Sequence, residues 1–168
     1  MTTQERIDAQ EAKYRAITTQ LLNDIFDEEK YKLNIYHTPV KCFIDLRFTA
    51  TTINTNNSYT YDVEIKEYTN PKYDAVIIKS EKLKRIKASH YNERLIYLVY
   101  KDGYAYLFDL DLIDFNNIES KLITQKKIEY DDNSKYIQEL LYFIPCDLAI
   151  LKKPCKKYFD TYRDILCD

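Results

Sequence analysis

The sequence predicts a mixed α/β fold, of the α+β kind, in which a central mixed sheet is flanked by helices. Three observations indicate it: helical spacing of apolar residues at the N-terminus, clean alternation of apolar and polar residues near the middle, and two apolar runs around the single glycine. The length of 168 residues predicts one domain, because domains typically take about 100–200 residues. With 45% hydrophobic and 31% charged residues, the composition excludes a disordered or collagen-like chain.

The first half of the chain is predicted to contain two helices and four strands. Apolar residues recur at helical spacing over residues 3–26, where Thr2 or Thr3 supplies the cap. A second helix is predicted over 80–90, with Ser80 as its cap. The predicted strands are 32–36, 41–50, 59–68 and 74–80, and the turn-like segments between the last three are 51–59 and 69–73.

The second half is predicted to begin with a hairpin and to end in helices. Residues 93–111 contain two apolar runs around Gly103, and residues 116–130 fit a helix or a strand equally well. The remaining predicted elements are helices over 134–143 and 154–167, with a short strand or extended arm over 145–153 between them. We therefore expect a C-terminal helical extension over about 111–168.

Composition and charge exclude several classes of function. Gly103 is the only glycine, which excludes the Gly-rich loops that cradle phosphates. A net charge of -2 argues against a basic coat over the whole surface. The four cysteines form no C-x-x-C motif, which favours reduced thiols in a cytoplasmic protein over a zinc site. No apolar run approaches the roughly 18 residues of a membrane helix, so we expect no membrane contact.

Acidic and basic side chains share one face of the strand predicted over 59–68. Because side chains alternate across a strand, Asp62, Glu64 and Lys66 lie on the face opposite the apolar one. On the preceding strand Asp45 points the same way, and pairing of the two strands places Asp45 beside Glu64. Two converging carboxylates favour Mg²⁺, a cation that prefers oxygen ligands.

A third acid lies on the first predicted helix. Glu11 falls within the apolar stripe, four residues after Ile7 and three before Tyr14. An acid that faces inward is costly unless it is paired or liganded. We therefore include Glu11 as a further candidate metal ligand.

These residues resemble the PD-(D/E)xK nuclease superfamily, whose core is a helix, three strands, a helix and a strand. The resemblance rests on Asp45 in KCFIDLRF, on Glu64-Ile65-Lys66 in YDVEIKEY, and on the following DAVIIKS and SEKLKRIKA. It covers about residues 5–110, and Ile44 stands where the family pattern has a proline.

The resemblance implies a restriction-endonuclease-like core and a Mg²⁺- or Mn²⁺-dependent endonuclease that acts on DNA. Asp45 and Glu64 would bind the metal with Glu11 as an added acid, and Lys66 would assist the attacking water. Lys82 lies where some members keep a basic residue. Many such nucleases pair to cut both strands, so a homodimer is an open expectation. The composition, rich in Lys, Asn, Ile and Tyr, is typical of an AT-rich genome such as that of a phage or mobile element.

Alternatives remain open at each of these positions. E-x-K occurs four times in the chain, and a solvated strand face accounts for Glu64 and Lys66 equally simply. The basic residues Lys79, Lys82, Lys84 and Arg85 fit contacts to DNA phosphates or a solvated helix face. The alternative function is a catalytically inactive α/β module that binds nucleic acid or protein.

Overall fold

The computed structural model describes residues 2–39, 42–68, 74–127 and 135–165. Within these residues the fold is mixed α/β, as predicted, with two sheets and three α-helices. The elements are α1 (Thr3–Ile25), β1 (Tyr31–His37), β2 (Leu46–Thr52), β3 (Ser58–Tyr68), β4 (Ala75–Lys79), α2 (Ser80–Ser89), β5 (Arg94–Lys101), β6 (Tyr104–Asp109), β7 (Glu119–Lys127), β8 (Lys135–Pro145), β9 (Leu151–Pro154) and α3 (Lys156–Ile165). None of the described helices is long and apolar enough to cross a membrane.

The larger sheet has the strand order β1-β2-β3-β5-β6-β9. Its first three strands form an antiparallel meander, whereas β5 runs parallel to β3. A parallel pair needs a crossover connection, and β4 and α2 lie within that connection. The smaller sheet has the order β4-β8-β7, with antiparallel pairing throughout.

Helices α1 and α3 belong to the core on one face of the larger sheet. Helix α1 begins with a capping box in which Thr2 and Glu5 each bond the backbone of the other. Its apolar stripe, including Ile17 and Leu21, packs against the inward residues of β2, β3, β5 and β6. Tyr158 of α3 is buried in the same cluster. The apolar face predicted for the strand at 59–68 is therefore confirmed.

The opposite face of the larger sheet packs against α2 and the smaller sheet. Leu83 and Ile86 of α2 are buried there with Ile144 of β8 and with apolar residues of β4, β5 and β6. Within the described chain, this second core has no buried residue from β2 or β3, and on those strands the same face of the sheet carries polar side chains. That polar part of the face carries the candidate site.

The turn between β5 and β6 explains the position of the single glycine. Asp102 and Gly103 have φ values of 51° and 78°. Two consecutive left-handed residues form the two-residue turn that matches the twist of a hairpin, and Asp-Gly is a preferred pair for it. The predicted hairpin is thus confirmed.

The C-terminal third differs most from the sequence-based prediction. The helix predicted over 134–143 is wrong, because this segment is strand β8, which pairs with both β4 and β7. The ambiguous segment 116–130 contains strand β7, and 145–153 contains a short 3-10 turn followed by β9. The extension is thus mainly strand, with α3 as its helix. Its strands add to both sheets.

Two local predictions are also wrong, and the segment 69–73 lies outside the described residues. Lys79, not Ser80, is the N-cap residue of α2, and no side chain caps that helix end. The strand predicted from residue 41 begins at Leu46, because residues 42–44 form a bend. Because of this bend, the Ile44 side chain is buried in the second core, on the face of the sheet opposite Leu46.

Candidate active site

Asp45 lies immediately before β2 and is fixed to the neighbouring strand β3. Its backbone N–H donates to the carbonyl of Val63 at 2.9 Å, which continues the β2–β3 ladder by one residue. Its Oδ2 accepts a hydrogen bond of 2.7 Å from the backbone N–H of Ile65. These two bonds flank Glu64 and hold the Asp45 carboxylate over it, so the predicted juxtaposition of the two acids is present.

Glu64 is the most unusual residue of the site. It is an acid on a central strand, and only 5% of its surface is exposed. Its Oε1 accepts from Lys82 Nζ at 2.6 Å, whereas its Oε2 is buried and finds no hydrogen-bond donor among the described residues unless the pair with Asp45 holds a proton. A buried polar oxygen without a partner is costly and calls for an explanation.

Electrostatics at the pair favour a bound positive charge. Burial, and then the negative charge of Asp45, raise the pKa of Glu64 from 4.5 to about 8, although Lys82 opposes the shift. Glu64 therefore holds a proton at neutral pH. Burial together with Glu64 also raises the pKa of Tyr97, its cross-strand neighbour on β5. The proton is shared through the side-chain hydrogen bond between Glu64 and Asp45, and a divalent cation that displaced it would take over its role of neutralising the pair.

The two candidate lysines of the site take different positions. Lys82 extends from α2 and makes the ion pair with Glu64, so its direct contact is an acid of the site. Lys66 lies two residues beyond Glu64 on the same face of β3 and is exposed. It has no hydrogen bond or ion pair to any other described residue. Lys66 is therefore available to an incoming anion.

The structure does not bring Glu11 to the two other acids. Helix α1 packs on the opposite face of the sheet, and Glu11 lies 3.9 Å from Arg15 one turn along the helix. Arg15 in turn donates to the carbonyl of Thr38 at 2.6 Å. Among the described residues, no three acidic, histidine or cysteine side chains are grouped so as to hold a metal ion. Any cation at this site would therefore be held by Asp45 and Glu64, without Glu11.

Most of the predicted DNA-contacting residues already have acidic partners. Lys79 lies 2.9 Å from Glu139 of β8, and Arg85 lies 3.5 Å from Glu81 in its own helix. Lys84 is exposed and has no ion pair to any other described residue. With Lys82 bound to Glu64, Lys84 is the one of these four residues that has no acidic partner in the described part of the chain.

Sequence reasoning missed the network around Asp62, next to the acid pair on the same face of β3. The Asp62 side chain is fully buried and accepts from Arg47 Nε at 2.7 Å and from Asn92 Nδ2 at 2.8 Å. It also accepts from the backbone N–H of Tyr91 at 3.1 Å and lies 2.9 Å from His90 Nδ1. Burial works to raise the pKa of Asp62, but these bonds outweigh burial and lower the pKa.

The network could not be predicted because three of its partners, His90, Tyr91 and Asn92, follow α2, some 30 residues away in sequence. Within the network His90 lies between two acids, with Nδ1 2.9 Å from Asp62 Oδ2 and Nε2 3.5 Å from Asp111 Oδ2. The signal in the sequence was the alternation of β3, which placed Asp62 on the polar face beside Glu64.

No protein-family model, curated protein or solved structure gives a significant match to this chain.

Proposed function

We propose that this protein is a metal-dependent nuclease that hydrolyses phosphodiester bonds in DNA. The observation that carries the proposal is the carboxyl pair: Glu64 is buried on a central strand and faces the second carboxylate of Asp45, and burial together with Asp45 raises the pKa of Glu64 to about 8. A buried acid beside a second acid on a polar sheet face is an arrangement that a divalent cation stabilises.

We also propose a restriction-endonuclease-like core. Its support is the order of elements: helix α1, the meander β1-β2-β3, helix α2, and β5 parallel to β3. Strand β4 departs from the expected order, because it leaves the larger sheet and pairs with β8. Further support is that Asp45, immediately before β2, and Glu64, on β3, lie next to each other on one face of adjacent strands.

In this proposal the oxygens of Asp45 and Glu64 would hold Mg²⁺ or Mn²⁺. When bound, such an ion polarises a phosphoryl oxygen and lowers the pKa of coordinated water. Lys66, exposed one pleat beyond Glu64, would hold the attacking water or the scissile phosphate. Lys82 orients the Glu64 carboxylate through Oε1, and its charge reduces the repulsion between the acids and an approaching phosphate.

The direct test is cleavage of supercoiled plasmid and branched DNA with Mg²⁺ or Mn²⁺. We expect Glu64→Gln, Asp45→Asn and Lys66→Ala to lower the rate by about a hundredfold or more, the scale for loss of a group that acts directly in catalysis. The matched control is Glu119→Gln, because Glu119 belongs to another E-x-K sequence and is exposed on β7. Equal cutting by all five proteins would mean a contaminating nuclease and would refute the proposal.

A catalytically inactive binding module is the second candidate, and the Lys82–Glu64 ion pair favours it. The Lys82 ammonium already lies 2.6 Å from Oε1 of Glu64, where it takes over part of the role of a bound cation. This function predicts DNA or protein binding that is unchanged by Mn²⁺ and unaffected by Glu64→Gln. Metal-dependent cleavage that disappears in Glu64→Gln would exclude it.

A further inference from the structure

A row of exposed aromatic and cationic side chains lies beside the acid pair. Strand register places Tyr36 of β1 opposite Arg47 of β2, and Arg47 opposite Asp62 of β3. Inward residues of these strands pack against α1, so these three lie on the other face of the sheet, which also carries Glu64. The ring of Tyr91 lies beside Arg47, with 5.2 Å from the guanidinium carbon to the ring centroid. We call Tyr36, Arg47 and Tyr91 the aromatic ledge.

The ledge presents its rings to solvent. Tyr91 is 78% exposed and Tyr36 is 59% exposed, and large aromatic side chains are usually more buried than this. Most other aromatic residues of the larger sheet, such as Phe48 and Tyr100, are packed in the core. The ledge tyrosines therefore differ from the buried aromatic residues of the larger sheet.

Asp62 holds the ledge in place. Its carboxylate accepts one hydrogen bond from Nε of Arg47 and another from the backbone N–H of Tyr91. Because Nε makes this bond, the two terminal nitrogens of Arg47 remain for another acceptor, and no other described residue accepts from them. A guanidinium held on one side by a buried acid can present its outer nitrogens to a phosphate.

The distance between the ledge and the acid pair suits a nucleotide chain. Arg47 follows Asp45 by two residues on the same face, which corresponds to roughly 6.6 Å along a strand. A DNA backbone with one phosphate at the acid pair could therefore place an adjacent phosphate at Arg47. A base attached there would meet the Tyr91 ring.

We propose that the aromatic ledge binds an unpaired stretch of DNA, with a phosphate on Arg47 and a base stacked on Tyr91. This inference rests on the proposed nuclease function and names its substrate class: DNA with unpaired nucleotides. Exposed rings stack on base faces that are free, and in a duplex those faces are already stacked on each other. The ledge therefore discriminates single-stranded from double-stranded DNA.

The test is binding of a fluorescent single-stranded 12-mer, and of a duplex of the same length, measured by anisotropy in EDTA. We expect Tyr91→Ala to weaken single-strand binding by about fivefold to a hundredfold, the range for loss of one stacked base. Tyr91→Phe keeps the ring and should stay within about twofold of the wild type. Duplex binding should change little in either variant.

Two further proteins complete the test. Tyr59→Ala is the matched control, because Tyr59 is 47% exposed on β3 but belongs to the face that packs against α1. It should bind the single strand as the wild type does. Arg47→Gln should lower the dependence of log affinity on log salt by about 0.7, the amount for one phosphate contact to a single strand.

The outcomes separate the ledge from the nuclease. Wild-type affinity in Tyr91→Ala, equal losses for single strand and duplex, an equal loss in Tyr59→Ala, or no binding by the wild type would each overturn the inference. Binding that depends on Tyr91, in a protein that cuts no DNA with any metal, would refute the nuclease function and leave the ledge as a binding site.

Discussion

Replacing Glu64 by glutamine should change how stability depends on pH. The folded state raises the pKa of Glu64 from 4.5 to about 8, so the folded protein keeps a proton that the unfolded chain releases. Between these two values the unfolded state gains charge and the folded state does not. Stability that is present below the ordinary pKa is therefore lost as the pH rises toward the folded-state pKa. The amide of the Glu64→Gln variant does not titrate, so the variant lacks this loss.

The size of the effect follows from the same two values. Each pH unit between them is worth about 1.4 kcal/mol in the free energy of unfolding. From pH 5 to pH 8 the wild type should lose about 3.5 kcal/mol relative to Glu64→Gln, because Glu64 is already half ionised at pH 8. At any single pH, the difference in the free energy of unfolding also includes the lost contact between Glu64 and Lys82 and the packing of the new amide. The decisive quantity is therefore how this difference changes with pH.

The assay is urea unfolding of both proteins in EDTA at pH values from 5 to 9. Glu119→Gln serves as the control, because Glu119 is exposed and its variant should parallel the wild type. If the difference between the wild type and Glu64→Gln stays constant from pH 5 to pH 8, or if the wild type gains stability with pH, the account of Glu64 as a buried, protonated acid is wrong.

Three further perturbations test other parts of the fold by urea unfolding. Asp62→Asn should lower the free energy of unfolding by about 3 kcal/mol at pH 7, since it removes the buried charge that holds Arg47. The loss should shrink below pH 4, because the lowered pKa of Asp62 stabilises the fold only where the carboxylate is ionised. Tyr100→Phe should cost about 1–2 kcal/mol by removing the buried 2.8 Å hydrogen bond to Thr18, and an unchanged midpoint would contradict that bond. Gly103→Ala should cost about 1–2 kcal/mol because φ there is 78°, and a neutral effect would contradict the turn.

The site was largely predictable because its geometry depends on strand alternation. The two-residue period of β3 fixed the face of Glu64, and pairing with β2 then placed Asp45 beside it. Lys82 was placed on the correct helix, but its ion pair depends on how α2 packs over the sheet, which local sequence does not encode. Glu11 was misplaced for a related reason: an inward-facing acid shows that a helix is packed, without showing on which face of the sheet.

The C-terminal third was the least predictable part. In β8, Ile137, Leu140 and Leu141 have the spacing of a helix, yet the segment is a strand between β4 and β7. Its hydrogen-bond partners are distant in sequence, and that pairing overrides local propensity. The Asp62 network was unpredictable for the same reason, because most of its partners belong to the segment after α2.

The central claim is that Asp45 and Glu64 form one site for a divalent cation, and calorimetric titration with Mn²⁺ tests it most directly. Titrations in two buffers of different ionisation enthalpy also count the protons that binding releases. With a pKa of about 8 for Glu64, binding at pH 7 should release about 0.9 proton per Mn²⁺ and about 0.1 at pH 9. Asp45→Asn and Glu64→Gln should abolish the binding. A wild type that binds no Mn²⁺, or variants that bind it equally well, would contradict the claim.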